Sequence, residues 1–278
     1  MFLLAFLALA TAFEPANSIP QELSRRDPVP ANPDALQTYT CVRASTAPAL
    51  DARLNAEPWT SAAWTQAFIS IDGNLSTPIA YATYAAMIYD DNYLYLAAKM
   101  EEPNVWADLV HKNTALYTEN PFEIFINPAG DGLNYHELEI NALNTLWELT
   151  LTKPWSEGGT ATNPDNIPGL IHNVYVDGTV NDPTDTDKGW NVEIAIPWTG
   201  LAAYNLPDHN TPPLSGDVWR IQFARSQWDF AVTTDEAYVR VPDMNVTDLR
   251  KAAFWSAWTS DGVFDAHVPR MWGNVTFR

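Results

Sequence analysis

One cysteine, Cys41, stands among 278 residues, so no disulfide can close within the chain. It lies beside Tyr39 in a strand-like segment and reads as a small buried hydrophobe. An intermolecular bridge or a reactive thiol are the other readings. Basic residues are also scarce: 15 Lys and Arg face 34 Asp and Glu, for a net charge of -19 and a pI near 4.4. That balance excludes nucleic acid, whose phosphates need cations to neutralise them, and it opposes docking on an anionic membrane. It suits a neutral or cationic ligand, or bound calcium. The acidic residues are spread along the chain and form no tail. Long apolar runs are missing, so no segment is expected to span a bilayer. His111, His136, His172, His209 and His267 lack metal-site spacing. No Ser-His-Asp arrangement, nucleophile elbow or phosphate loop can be read. Internal repeats, heptads and long helical periodicity are absent.

What is present begins with MFLLAFLALATA, Met1 to Ala12. Its apolar core and its Ala10-Thr11-Ala12 ending fit an export signal cleaved before Phe13. Residues 13–37 are rich in Pro, Ser and charge and read as an irregular leader. Residues 38–278 form the single expected domain. Sequons at Asn74, Asn245 and Asn274 go with a secreted glycoprotein. Twelve Trp, eleven Tyr and eleven Phe are enough to fill a β core, with some rings left over as flat binding surfaces.

Short strand signals broken by Pro, Gly, Asn and Asp predict about a dozen strands in an all-β, antiparallel two-sheet sandwich, with helix only in loops. The stretch from Asn120 to Thr152 organises the rest. Phe122 to Asn127, Tyr135 to Ala142 and Leu146 to Leu151 read as consecutive antiparallel strands. A Pro-Gly-rich turn at Pro128 to Gly132 and a corner at Asn144-Thr145 join them. Strand side chains alternate. His136, Leu138, Ile140 and Ala142 therefore share an apolar face, and Tyr135, Glu137, Glu139 and Asn141 a polar one. Pairing Glu123 onto the polar face brings three carboxylates together, either as a solvated face or as a polar binding floor.

Several ordered phrases resemble family 9 carbohydrate-binding modules of the DOMON-like group. They are PALDARLNAEPW, with Ala52 where that family usually has Gly; IYDDNYLYLAAKMEEPNVW; FEIFINPAGDGLNYHELEINALNTLWEL; GWNVEIAIPW; WRIQFARSQW; and MWGNVTF. The resemblance covers Tyr39 to Phe277. It implies a β-sandwich, sugar held between two Trp rings, calcium as a structural ion and a role in polysaccharide breakdown.

A sugar hydroxyl both donates and accepts hydrogen bonds. The expected carbohydrate site accordingly uses Trp106, Glu123, Glu139, Asn141, Arg225 and Trp228, with Trp147 in reserve. Arg225 and Trp228 need a bend to face one site. Trp59, Trp64, Trp190 and Trp219 are assigned to structure. Calcium needs several oxygens at once; the expected ligands are Asp90 and Asp91, Asp131, and Asp185 and Asp187. The partner is a mono-, oligo- or polysaccharide end, and the protein is expected to be a monomer. Two other classes stay open. A glycoside hydrolase would use two of Glu123, Glu137 and Glu139 at ~5–5.5 Å or ~6.5–9.5 Å. A haem electron-transfer domain would use Met100 and His136 as axial ligands from neighbouring strands.

Overall fold

The computed structural model describes residues 36–74, 76, 79–162, 167–202, 210–240 and 253–278. The expected export signal, nearly all of the expected leader, and Asn245 lie outside them.

The strands in chain order are β1 (Thr38–Arg43), β2 (Ile69–Ser70), β3 (Thr83–Tyr89), β4 (Tyr93–Glu101) and β5 (Phe122–Asn127). Next come β6 (Tyr135–Ile140), β7 (Leu146–Leu151), β8 (Ala161–Thr162), β9 (Ile171–Asp177) and β10 (Gly189–Pro197). The last are β11 (Val218–Trp228), β12 (Phe230–Val232), β13 (Tyr238–Arg240), β14 (Ala253–Ala257) and β15 (Gly273–Phe277). One short helix, α1 (Trp198–Ala202), follows β10.

The strands form a curled ribbon in the order β8-β7-β6-β5-β11-β15-β1-β3-β4-β10-β9, with β14 beside β11 and β2 beside β14, while β12 and β13 make a separate two-stranded sheet. It closes on itself as a sandwich. Most pairs are antiparallel. The exception is β1, which runs parallel to β15 through Thr38 to Cys41 and parallel to β3 through Val42 and Arg43. This one strand therefore joins both layers. The other pairings are antiparallel, as expected for the two-sheet sandwich.

Local chemistry sets the corners. Asp90 Oδ1 accepts from the backbone N–H of Asn92 and of Tyr93, and Oδ2 accepts from the Tyr95 hydroxyl, which closes the β3–β4 hairpin. Asn141 Oδ1 accepts from Leu143 N and Thr145 N, while Asn144 takes φ of 63°. That fixes the β6–β7 corner, so β6 ends at Ile140 rather than Ala142.

The inner faces meet in one apolar core. Phe122, Ile124, Ile126, Leu138, Ile140, Ile221 and Phe223 pack there with Leu94, Leu96, Val192, Ile194, Trp190 and Trp219. Each such side chain contributes about 1.5–3 kcal/mol by leaving water. Cys41 is fully buried in it, and burial pushes its thiol pKa up. Met100 and His136 are not on neighbouring strands, since β4 and β6 lie in different layers. His136 instead contacts the Thr150 hydroxyl through Nδ1 at 3.2 Å.

Both layers are also covered outside. A loop through Leu54 and Trp59 packs on Ala86, Ile88, Tyr95, Ala97 and Ala195. On the β5–β7 side, Phe125, Tyr135, Leu149, Leu151 and Ala224 pack with Ile71, Ala257, Ala266 and Trp272. This second cover is why the strand face read as an open floor is largely enclosed.

Candidate functional site

Glu123, Glu137 and Glu139 stand together on the outer face of β5 and β6. Glu123 pairs with Glu139 across the strands, and Glu137 follows on the same face two residues away. One oxygen from each can be chosen so that all lie within 4.8 Å, and the residues are only 1%, 4% and 2% exposed. Among the described residues no other such grouping of acidic, His or Cys side chains occurs.

The charge balance of this cluster is unusual. Ser226 on β11 donates to Glu123 Oε1 at 2.5 Å. The Glu137 and Glu139 carboxyls act on each other's ionisation, and the Tyr117 backbone partly offsets the rise at Glu139. Oε2 of Glu137 and of Glu139 has no hydrogen-bond partner. Burial raises all three pKa values: Glu123 to about 7, Glu137 to about 8, and Glu139 well above the usual carboxylate range. Mutual repulsion raises the latter two further. His267 Nε2 lies 3.9 Å from Glu137 Oε1. Burial lowers its pKa, and its Nδ1 meets the Tyr135 hydroxyl at 2.9 Å.

Aromatic rings surround the acids. Trp147 pairs with Glu139 across β6 and β7, and its ring lies 5.8 Å from that of Tyr117. On the other side Trp255 pairs with Ser226, and its ring lies 5.4 Å from Phe264. These four rings are all half-buried, so part of each faces solvent. The indole N–H groups of Trp147 and Trp255 have no hydrogen-bond partner. The half-open rings form a surface suited to stacking a sugar, whereas these indole N–H groups and carboxyl oxygens are sealed beneath it.

The expected site residues divide into three groups. Glu123, Glu139 and Trp147 come together. Asn141 shares their face, but its side chain is spent on the corner, on Leu109 O and on Glu119. Arg225 points the other way, as does every odd-numbered neighbour on β11. It forms a buried ion pair with Glu102 at 2.8 Å and donates to Glu101 O and the Thr83 hydroxyl. Trp106 and Trp228 do pack together, but under Tyr238, each 3% exposed. Trp228 donates to Tyr117 O, so it positions the Tyr117 segment and offers no open face.

The five aspartates expected to hold calcium lie in three separate turns. Asp90 is consumed by its hairpin as described. Asp91 pairs with Arg43. Asp131 Oδ1 accepts from Leu133 N. Asp187 is buried, with its oxygens taken by the N–H groups of Val105 and Thr179. Asp185 is exposed. A cation would find more carboxylate oxygen at the glutamate trio than at any of these turns.

Tyr117, Trp255, Phe264 and Ser226 are site residues that the sequence reading did not select. A signal existed for Trp255: the phrase AFWSAW alternates like a strand. Tyr117 and Phe264 lie in a 3₁₀ turn and a loop, where no periodicity reveals which way a ring points.

Comparison with known proteins adds the following. A model of the carbohydrate family 9 binding domain-like family matches residues 50–276. Exoglucanase XynX of Acetivibrio thermocellus is 26% identical over 121 residues, which is 44% of this chain and 9% of that protein. The chain thus matches a small part of a much longer relative. A putative carbohydrate-binding protein from Bacteroides uniformis has the same fold with a TM-score of 0.60 and 14% identity, over 88% of this chain and all of that one. A family 9 carbohydrate-binding module from Caldicellulosiruptor kristjanssonii, solved with cellotriose, gives a TM-score of 0.52 at 15% identity over 87% and 94% of the two chains. The glucose complex of a family 9 module from the same organism gives 0.52 at 16% identity over 86% and 95%.

Proposed function

The chain belongs to the carbohydrate family 9 binding domain-like family, and from that membership we propose that it binds carbohydrate without catalysis, at the face that carries Glu123, Glu137 and Glu139. The observation that carries this reading is the two pairs of half-open rings, Tyr117 with Trp147 and Trp255 with Phe264, that flank this sheet face. A pyranose stacks its C–H face on such rings, each contributing on the order of 1 kcal/mol. The sheet holds these groups rigid, so little ordering entropy opposes binding. Family 9 relatives solved with glucose and cellotriose make a hexose or the end of a β-glucan chain the first ligand to try. The export-signal pattern of Met1 to Ala12 and the sequons fit a secreted protein acting on polysaccharide outside the cell.

The test is a glycan array followed by calorimetry on the chain from Phe13 onward. Trp147→Ala and Tyr117→Ala should each weaken sugar binding about tenfold, while Trp106→Ala lowers stability and leaves the affinity of the folded protein unchanged. Failure to bind any sugar would overturn the reading. Release of reducing ends that disappears in Glu123→Gln would move the assignment to a glycoside hydrolase.

A further inference from the structure

We propose that Arg240, on the β12–β13 hairpin, is a positioning residue for sugar binding: it fixes the Tyr117 ring against Trp147 and does not touch the ligand itself. The inference rests on the carbohydrate-binding reading above and specifies what holds one of its two ring pairs in place.

Tyr117 needs outside support. It is the middle residue of a 3₁₀ turn, Leu116–Thr118, that has no side-chain cap at its start. Two amides close the turn on itself, Thr118 N on Ala115 O at 3.3 Å and Glu119 N on Leu116 O at 2.8 Å. So short a turn holds its shape weakly by itself, and the ring it carries is half-buried. To stack a sugar, that ring has to keep its place beside Trp147, 5.8 Å away and tilted by 32°. A ring left loose would be ordered only on binding, at a cost in affinity.

Two further carbonyls of the turn are held by side chains from other elements. Trp228 Nε1 donates to Tyr117 O at 2.8 Å, and Arg240 donates to Thr118 O at 2.9 Å. The Arg240 guanidinium also lies 4.6 Å over the Trp228 ring. Adjacent carbonyls are thus held by two side chains stacked on each other, and removing Arg240 loosens both. Arg240 acts on the phenol as well: burial raises the Tyr117 pKa, Glu139 adds to the rise, and Arg240 works against it.

The hairpin brings the guanidinium in from outside the sandwich. A lone pair of strands is marginal in water, and β12 and β13 form a sheet of their own. It is fastened at Tyr238, which is buried, meets Phe230 edge-on at 4.9 Å and places its hydroxyl 3.2 Å from Asn104 Oδ1. Alternation puts Arg240 on the same face as Tyr238 and turns Val239, 44% exposed, outward. Residues 229–240 fall between the phrases WRIQFARSQW and MWGNVTF, outside the stretches that carry the family resemblance. This support is read from the geometry of the chain itself.

The experiment is calorimetry on the full chain with glucose, cellotriose and the strongest binder of a glycan array. Arg240→Met should weaken binding about three- to tenfold, no more than Tyr117→Ala does. Arg240→Lys, which keeps a donor and the charge over Trp228, should recover part of the loss. In a Tyr117→Ala background Arg240→Met should cost nothing further, whereas in a Trp255→Ala background it keeps its full effect. That coupling separates positioning from a general loss of stability. Hydrogen exchange without sugar gives a second readout: the Thr118 and Glu119 amides should exchange faster in Arg240→Met, while those of β5 and β6 do not change. Unchanged affinity in Arg240→Met, a further loss in the Tyr117→Ala background, exchange that stays slow at Thr118 and Glu119, or an Arg240→Met chain that does not fold each overturn the inference and leave the carbohydrate reading standing. Failure of the unsubstituted chain to bind any sugar overturns both.

Discussion

Trp59 hangs from Glu193. Its indole N–H donates to Glu193 Oε1 at 2.5 Å, while Ala52 N donates to Oε2 at 2.8 Å. Glu193 sits in the middle of β10, nearly inaccessible to solvent. The phrase PALDARLNAEPW is thus a clasp that pins a loop over the outer face of the β3–β4–β10 layer. Ala52 holds φ of +55°, a region glycine enters freely and alanine only at some strain, which accounts for the family's usual Gly there. Glu193→Ala should destabilise the fold by about 2–4 kcal/mol, because two buried donors lose their acceptor. Urea unfolding measures this, and Glu193→Gln should lose clearly less. The site lies on the other layer, so sugar affinity of the folded fraction should not change.

Much of the fold could be read from residue order. Phe122–Asn127 and Leu146–Leu151 are strands with the bounds the pattern predicts, because apolar alternation and Asx turns act locally. The meeting of Glu123 with Glu139 was legible for the same reason: a short turn fixes the register of two neighbouring strands. The directions of Arg225 and Trp106 were not legible. Arg225 alternates as its strand requires, but which face is inner depends on β5 and β15, which are remote in sequence. Trp106 lies in a connection without a period, and its burial depends on Trp228 and Tyr238. Sequence shows what a face carries; whether a loop closes over it is decided by tertiary packing.

The Arg225–Glu102 pair supports the sandwich from inside. Both side chains are 2% exposed, and Gln227 also donates to Glu102. Removing one partner leaves a buried charge alone, so Arg225→Met or Glu102→Leu should each lower stability by about 3–5 kcal/mol. The double variant should recover most of the loss. Thermal melts of the three proteins test this. If Arg225→Met instead abolished sugar binding while the melt was unchanged, Arg225 would belong to the ligand site after all.

The trio also makes a pH signature. Burial pushes Glu123 up to about 7 and Glu137 up to about 8 in the folded protein and holds Glu139 well above the usual carboxylate range, against about 4.5 for an unfolded glutamate. A carboxyl with a raised folded pKa holds its proton longer in the native state than in the unfolded one. Its full stability is therefore present below about pH 4 and is lost as pH climbs toward the folded values. Repulsion in a chain of net charge -19 slopes the same way, so the comparison must be between variants. Relative to the unsubstituted protein, Glu139→Gln should be near neutral at about pH 4 and more stable at about pH 8. A stability difference that does not vary with pH would mean that Glu139 ionises like an exposed acid.

The sequons give a final prediction for a chain passed through a glycosylating secretory pathway. Asn74 is exposed in a turn, and its own Oδ1 accepts only from Ser76 N. A glycan there would project into solvent. Asn274 lies within β15, pairing with Thr38 of β1 on one side and Arg220 of β11 on the other. A branched sugar on a strand held from both sides would crowd its neighbours. Mass spectrometry of the secreted protein should find Asn74 modified and Asn274 bare, and Asn74→Gln should remove one glycan's mass without shifting the melt. A fully occupied Asn274 would mean that modification precedes the closing of β15 between β1 and β11, which would make that pairing a late step in folding.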